Sequence, residues 1–203
     1  MTRVGPVRET ENLWLRKVAE DPGHSQWYIE RFRAMAERGE DLAGEARFID
    51  AMVPRKARIL DAGCGSGRVA GALAAAGHDV VAVDLDPQLI AAAREDHPGP
   101  RYLVGDLAEL DLPDRFDVVV SAGNVLAFLA PSTRVDVLRR CAAHLAPGGR
   151  VVTGFGAGRG YEFDAFLADA ASAGLTPDHL LGTWDLRPFT PSSDFLVAVF
   201  SAR

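Results

Sequence analysis

Apolar and polar positions follow two rhythms along this chain. From residue 57 onward, short unbroken apolar runs alternate with longer stretches of mixed character. The runs are ARILDA (57–62), DVVAVD (79–84), RYLVGD (101–106), FDVVVSAG (116–123) and RVVTGF (150–155). They lack the polar alternation of half-exposed strands, so they predict strands buried on both faces. Helices are expected between them over 68–76, 87–96 and 131–145, and after the last over 161–173. Gly77, the APGG at 146–149 and Gly174 supply stop signals, and Asp86-Pro87 supplies an N-cap and a first helical residue. LLGTWDL (180–186) and DFLVAVFSAR (194–203), parted by a loop containing Pro188 and Pro191, predict an antiparallel hairpin. Strand alternating with helix implies an α/β fold around a doubly wound parallel sheet.

Upstream the rhythm is helical only, over about 11–20, 25–37 and 41–52. WYIERFRAM puts Tyr28, Phe32 and Met35 on one helical face. A segment of that length buries too little to stand alone. The expectation is therefore one domain over 1–203, with a helical cap or lid (1–56) on a Rossmann-like core (57–203).

Composition adds limits. Of 203 residues, 48% are apolar and 25% charged, enough for a substantial core. The net charge of −6 argues against a nucleic-acid partner, because phosphate contacts want a basic field. Two cysteines make neither a disulfide framework nor a zinc site, and with no acid cluster apparent for a magnesium ion no metal is expected. The first residues show no secretory apolar region, and no stretch is long and apolar enough for a membrane span. A cytoplasmic protein without membrane attachment is expected.

The candidate chemistry starts at ILDAGCGSGR, where Asp61 precedes Gly63, Gly65 and Gly67 between a strand and a helix. In open α/β sheets ligands bind at the carboxyl ends of such strands, near the switch point. Two cofactor classes fit a glycine loop there, a dinucleotide and S-adenosylmethionine. The dinucleotide fingerprint wants its third glycine where this chain has Arg68, which disfavours that reading. Asp84 ends the second strand, where a carboxylate accepts from ribose hydroxyls or caps the next helix. Asp106 ends the third, where it meets an adenine amino group or merely closes a turn.

The five blocks ILDAGCGSGR, VVAVDLDP, GDL, FDVVVSAGNVLAFL and LAPGGRVV, in this order and spacing, resemble those of class I S-adenosylmethionine-dependent methyltransferases. The resemblance covers about residues 57–155 and implies a seven-stranded sheet of order 3-2-1-4-5-7-6 with strand 7 antiparallel. It implies that Asp61, Ala62, Gly63, Cys64, Gly65 and Gly67 surround the methionine part of the cofactor. Asp84 and Leu85 would meet the ribose, Asp106 and Leu107 the adenine, and Ala122, Gly123 and Asn124 the methyl-transfer site. SAGNV replaces the Pro-Pro-aromatic pattern of enzymes that methylate nucleic-acid amino groups, so a small-molecule O- or N-acceptor is expected.

Methyl transfer needs alignment first and a general base only for a protonated nucleophile. His24 and Asn124 are the candidates near the mouth; His78, His97 and His144 lie in structural positions. Tyr28 and Arg31, one turn apart, could meet the cofactor's carboxylate, with Arg33 and Arg38 as competitors. Trp27, Phe128, Phe155, Tyr161 and Trp184 are candidates for an apolar acceptor pocket. A non-catalytic module that binds S-adenosylmethionine or S-adenosylhomocysteine is the alternative, and a nicotinamide oxidoreductase a weaker one.

Overall fold

The structure, a computed structural model, describes residues 10–202. Three helices come first: α1 (Leu13–Glu20), α2 (His24–Glu37) and α3 (Gly44–Met52). The core follows as β1 (Arg58–Ala62), α4 (Arg68–Ala75), β2 (Asp79–Asp84), α5 (Pro87–Asp96), β3 (Arg101–Val104), β4 (Phe116–Ser121) and α6 (Val125–Phe128). It closes with α7 (Arg134–Ala143), β5 (Leu145–Gly156), α8 (Phe163–Ser172), β6 (Leu175–Leu181) and β7 (Phe195–Ala202). The sheet order is β3-β2-β1-β4-β5-β7-β6, with β7 antiparallel to both neighbours.

The pleat sends alternate residues of the central strands to opposite faces. Leu60, Val81, Val83 and Val119 join a cluster with Leu138 and Phe166. Ile59, Val80, Ala82, Val118 and Val120 join another with Leu73 and Ile90. Both faces are covered, which is why these strands read as continuous apolar runs. Ile49 of α3 is completely buried in the second cluster. The first two helices attach through a smaller cluster, Trp14 and Ile29 against Leu89 and Ala92 of α5.

The second strand and the helix at 87–96 match the expected bounds, and Asp86 caps that helix by accepting from the backbone N–H of Gln88. Other boundaries differ. β6 begins at Leu175, directly after Gly174, and ends at Leu181, so residues 182–186 form a loop rather than a strand. Pairing with β7 decides this, because Leu175 opposes Ala202 and the register runs from there. β6 is an edge strand, which also explains how it tolerates Pro177 beside its register shift. β5 starts at Leu145 and carries the APGG segment within it, paired with β4 at Phe116. The helix expected from Pro131 opens with a 3-10 turn over Pro131–Thr133 before α7. The single turn α6 lies outside the expected elements; it follows Asn124, whose φ of 69° is left-handed.

Candidate active site

The carboxyl ends of β1, β2 and β4 converge where the strand order reverses direction. Between β1 and α4 the chain turns back over β2: the N–H groups of Gly63 and Cys64 donate to the Val83 carbonyl at 2.8 and 3.0 Å. Gly65 follows with φ 55°, and a Cβ there would lie 3.1 Å from the Tyr28 hydroxyl. The left-handed backbone there favours glycine, and any side chain would crowd the cap helix resting on the loop. Gly67 serves packing instead. A Cβ on it would meet Ala93 Cβ and the Tyr102 hydroxyl, each at 2.8 Å.

Asp84 is 9% exposed. Its Oδ2 accepts from the Gly65 N–H at 2.8 Å and its Oδ1 from the Asp86 N–H at 2.9 Å. Capping of α5 falls to Asp86, so Asp84 is held by the loop at the wall of a cleft. Burial raises its pKa, and those backbone donors pull it back. Asp61, at the end of β1, is 1% exposed, and its Oδ2 has no hydrogen-bond partner. Burial pushes it up to about 7, with the Arg68 guanidinium acting in the other direction. Asp61 faces a cavity of about 20 Å³ shared with Tyr28, Ser66, Arg68 and Gly123. A buried carboxylate with one oxygen left unpartnered, beside a space of that size, fits a cationic or hydrogen-bonding group of a ligand.

The inner cleft holds about 70 Å³ and is walled by Gly63, Gly65, Asp84, Leu85, Ala122 and Gly123 from the core. Asn12, Trp14 and Tyr28 close it from the cap side. It adjoins an outer chamber of about 470 Å³, with which it shares Trp14, Tyr28, Gly123 and Phe128. Tyr28 thus sits between loop and chamber. Burial pushes its phenol up to about 12, so it remains an O–H donor at neutral pH.

The remaining expected residues divide. Ala62 is fully buried in the sheet, and Cys64 is buried with its thiol pushed well up by desolvation. Asp106 is exposed and accepts from the Ala108 N–H at 2.8 Å, while Leu107 belongs to the core; neither lines the cleft. Asn124 lines the outer chamber, and its Oδ1 accepts from the Gly156 N–H at 2.8 Å. His24 lines it too, its ring 5.3 Å from Trp27 and stacked on it. His78 bonds Asp50 and the Ala57 N–H, and His144 accepts from the Leu112 N–H. Arg31 reaches the chamber, whereas Arg33 is bound to Asp96 and Glu95, and Arg38 to Glu40. Trp27, Phe128 and Trp184 line the chamber. Phe155 and Tyr161 do not: Phe155 on β5 and Tyr161 just before α8 are both sealed in the sheet's main apolar cluster against Phe166.

Several residues of the site escaped sequence reasoning. Trp14 Nε1 and Ser25 Oγ both donate to Asp86 Oδ2 and hold α1 and α2 against the β2–α5 turn. Arg68, the departure from the dinucleotide spacing, bridges to Glu45 and to the Leu42 carbonyl at 2.8 Å, and so ties the loop to the cap. Lys17, Arg159 and Phe195 also line the chamber. Only the glycine-flanked GAGRG around Arg159 carried a local signal, that of an exposed loop.

A glycine loop at the switch point, with an oriented acid at the end of β2, defines a Rossmann-like nucleoside-binding fold. The family model described as a methyltransferase domain matches residues 59–149. The chain is 49% identical to a TehB-like SAM-dependent methyltransferase of Corynebacterium glutamicum; the match covers 90% of this chain and 100% of that one, with a TM-score of 0.87. It is 35% identical to a malonyl-[acyl-carrier protein] O-methyltransferase of Pectobacterium atrosepticum, over 52% of this chain and 40% of that protein. It is 31% identical to a ubiquinone biosynthesis O-methyltransferase of Xanthomonas campestris, over 61% of this chain and 58% of the relative. The matches thus span about half the length of these two curated relatives. The chain belongs to the class I S-adenosylmethionine-dependent methyltransferase family, enzymes whose methyl donor is S-adenosylmethionine.

Proposed function

We propose that this protein transfers a methyl group from S-adenosylmethionine to a small-molecule acceptor bound in the outer chamber. The observation that carries the reading is Asp84: a carboxylate at the cleft wall, oriented by the Gly65 N–H and relieved of helix capping by Asp86. In this assignment Asp84 accepts from the ribose hydroxyls beside Leu85. Asp61 faces the amino group of the methionine part across the glycine loop, and Asp106 and Leu107 flank the adenine end. Tyr28 and Arg31 take the carboxylate, since Arg33 and Arg38 are spent on other acids. When bound, the sulfonium supplies an electrophilic methyl: an acceptor lone pair forms the new carbon bond as the carbon–sulfur pair returns to sulfur.

The protein's part is alignment and exclusion of water. Ala122, Gly123 and Asn124 form the floor where acceptor and methyl meet. His24 is the imidazole available to take a proton from a hydroxyl or ammonium acceptor. An inner cleft of about 70 Å³ is below the 300 Å³ or so at which ligand pockets begin, so α1 and α2 act as a lid that must part from the glycine loop for entry.

Thermal shift with S-adenosylhomocysteine and with NAD tests cofactor choice. At ~100 times its dissociation constant a ligand adds about 2.7 kcal/mol of stability. A shift with S-adenosylhomocysteine and none with NAD is expected; the reverse overturns the reading. Turnover with a panel of phenolic and amine acceptors separates an enzyme from a non-catalytic binding module.

A further inference from the structure

Among the described residues, cations are almost all partnered. Arg33 pairs with Asp96, Arg58 and Arg101 share Asp114, and Arg47 pairs with Asp41. Others are spent on carbonyls, such as Arg94 on Tyr102 and Arg150 on Met52. Among the described residues, Lys17, Arg31, Lys56 and Arg159 have neither an ion pair nor a side-chain hydrogen bond to protein. Three of these four, Lys17, Arg31 and Arg159, line the outer chamber. They come from separate elements: α1, α2 and the loop after β5. The chamber's acid, Glu45, is consumed by Arg68. A protein of net charge −6 thus concentrates uncompensated positive charge where its acceptor must sit.

The cleft on the other side of α2 provides a contrast. It is of similar size, about 500 Å³, yet its arginines, Arg33 and Arg68, are both paired. Free charge is therefore a property of the outer chamber and not of clefts in general. The cofactor's single carboxylate, taken by Arg31 in the reading above, leaves Lys17 and Arg159 unmatched. Arg159 lies beside the methyl-transfer floor: its Nε is 3.3 Å from the position a Cβ on Gly156 would take, and Gly156 is bonded to Asn124.

Part of the chamber wall is flat and aromatic. Trp27 is 52% exposed with its indole stacked on His24. Trp184 is seated so closely on Gly154 that a Cβ there would approach its ring to 2.3 Å. Phe128 and Phe195 complete the surface. A chamber of about 470 Å³ takes a ring-sized molecule. We infer that the acceptor is a planar organic anion, whose carboxylate or phosphate is held by Lys17 and Arg159 while its ring lies against the tryptophans.

This inference rests on the proposed methyltransferase reading, and S-adenosylhomocysteine binding, measured first, separates their failures. Protein saturated with S-adenosylhomocysteine is titrated calorimetrically with 4-hydroxybenzoate, 4-hydroxybenzamide and 4-hydroxybenzylamine, and with phenyl phosphate to identify the preferred oxyanion. At least one anion should bind about tenfold or more tighter than the neutral and cationic compounds. Arg159→Gln and Lys17→Gln should each weaken that anion about fivefold, a figure reduced for solvent exposure, while S-adenosylhomocysteine affinity stays unchanged. Both side chains are exposed, so neither substitution threatens folding. Equal binding of the anions and the amide, no binding of any compound at 10 mM, or anion binding indifferent to both substitutions would overturn the inference.

Discussion

The α/β core and the helical cap are held by different forces. Core strands place residue after residue at zero exposure, from Ile59 and Leu60 to Phe200, in two clusters that cover both faces of the sheet. α3 joins them through Ile49. α1 and α2 are attached by a small apolar cluster and by polar links, Trp14 and Ser25 to Asp86 and Arg33 to Asp96 and Glu95. Burial is cooperative and gives a rigid scaffold, whereas a few directed bonds can open and close again as a unit. The glycine loop and Asp84 belong to the first region, and Tyr28, Arg31 and Lys17 to the second. In the proposed assignment, the cofactor's fixed points would sit on the first region, and the groups that would complete its enclosure on the second.

Substitutions that strike one region and spare the other test this division. The largest effect is expected from Ile49→Ala, which should cost about 2–5 kcal/mol of global stability in urea denaturation. If α3 belonged to the mobile cap, the cost would be far smaller. Asp86→Ala should cost about 2 kcal/mol, because it strands the Trp14 indole and the Ser25 hydroxyl and removes the cap of α5. Hydrogen exchange should then accelerate in α1 and α2 while β1 and β4 stay protected; uniform acceleration would deny the cap its independence.

Asp84→Ala is a ligand effect on the rigid side. It should weaken S-adenosylhomocysteine about tenfold or more, because charged hydrogen bonds contribute about 1.5–3 kcal/mol each. Unchanged affinity in calorimetry would leave Asp84 as a brace for the loop. On the mobile side, Arg31→Ala and Tyr28→Phe should each weaken S-adenosylmethionine about fivefold but leave adenosine, which lacks the carboxylate, unaffected. Equal losses for both ligands would point to disturbed folding instead.

The smallest effect is expected from pH. Asp61 titrates near 7 in the free protein, above its unfolded value, so the native state retains a proton that the unfolded chain has lost between about pH 4 and 7. Through that window the free protein loses stability as pH rises, and this contribution is flat above it. A ligand ammonium beside Asp61 favours the ionised form. S-adenosylhomocysteine binding should therefore release protons below pH 7 and tighten about fivefold from pH 6 to pH 7. Asp61→Asn should abolish both the release and the tightening; if the variant keeps them, another group is responsible.

Much of this was legible from residue order because the signals are local. Unbroken apolar runs mark strands buried on both faces, Asp86-Pro87 marks a helix start, and three glycines after a strand mark a turn that accepts left-handed backbone. Those features depend on a few neighbouring residues, and the sheet of β1 to β4 follows from them. Contacts between distant segments decided the rest. Pairing with β7 moved β6 back to Leu175, and pairing with β4 drew the APGG segment into β5. Arg68 read as a misfit in a glycine fingerprint until Glu45, brought near by α3, gave it a partner. Phe155 and Tyr161 could not be told from pocket residues by type, since burial belongs to the whole fold. The gathering of Lys17, Arg31 and Arg159 is likewise invisible in order along the chain. Charge at one position is fixed by its codon, but whether it meets an opposite charge depends on which surfaces the packed core brings face to face.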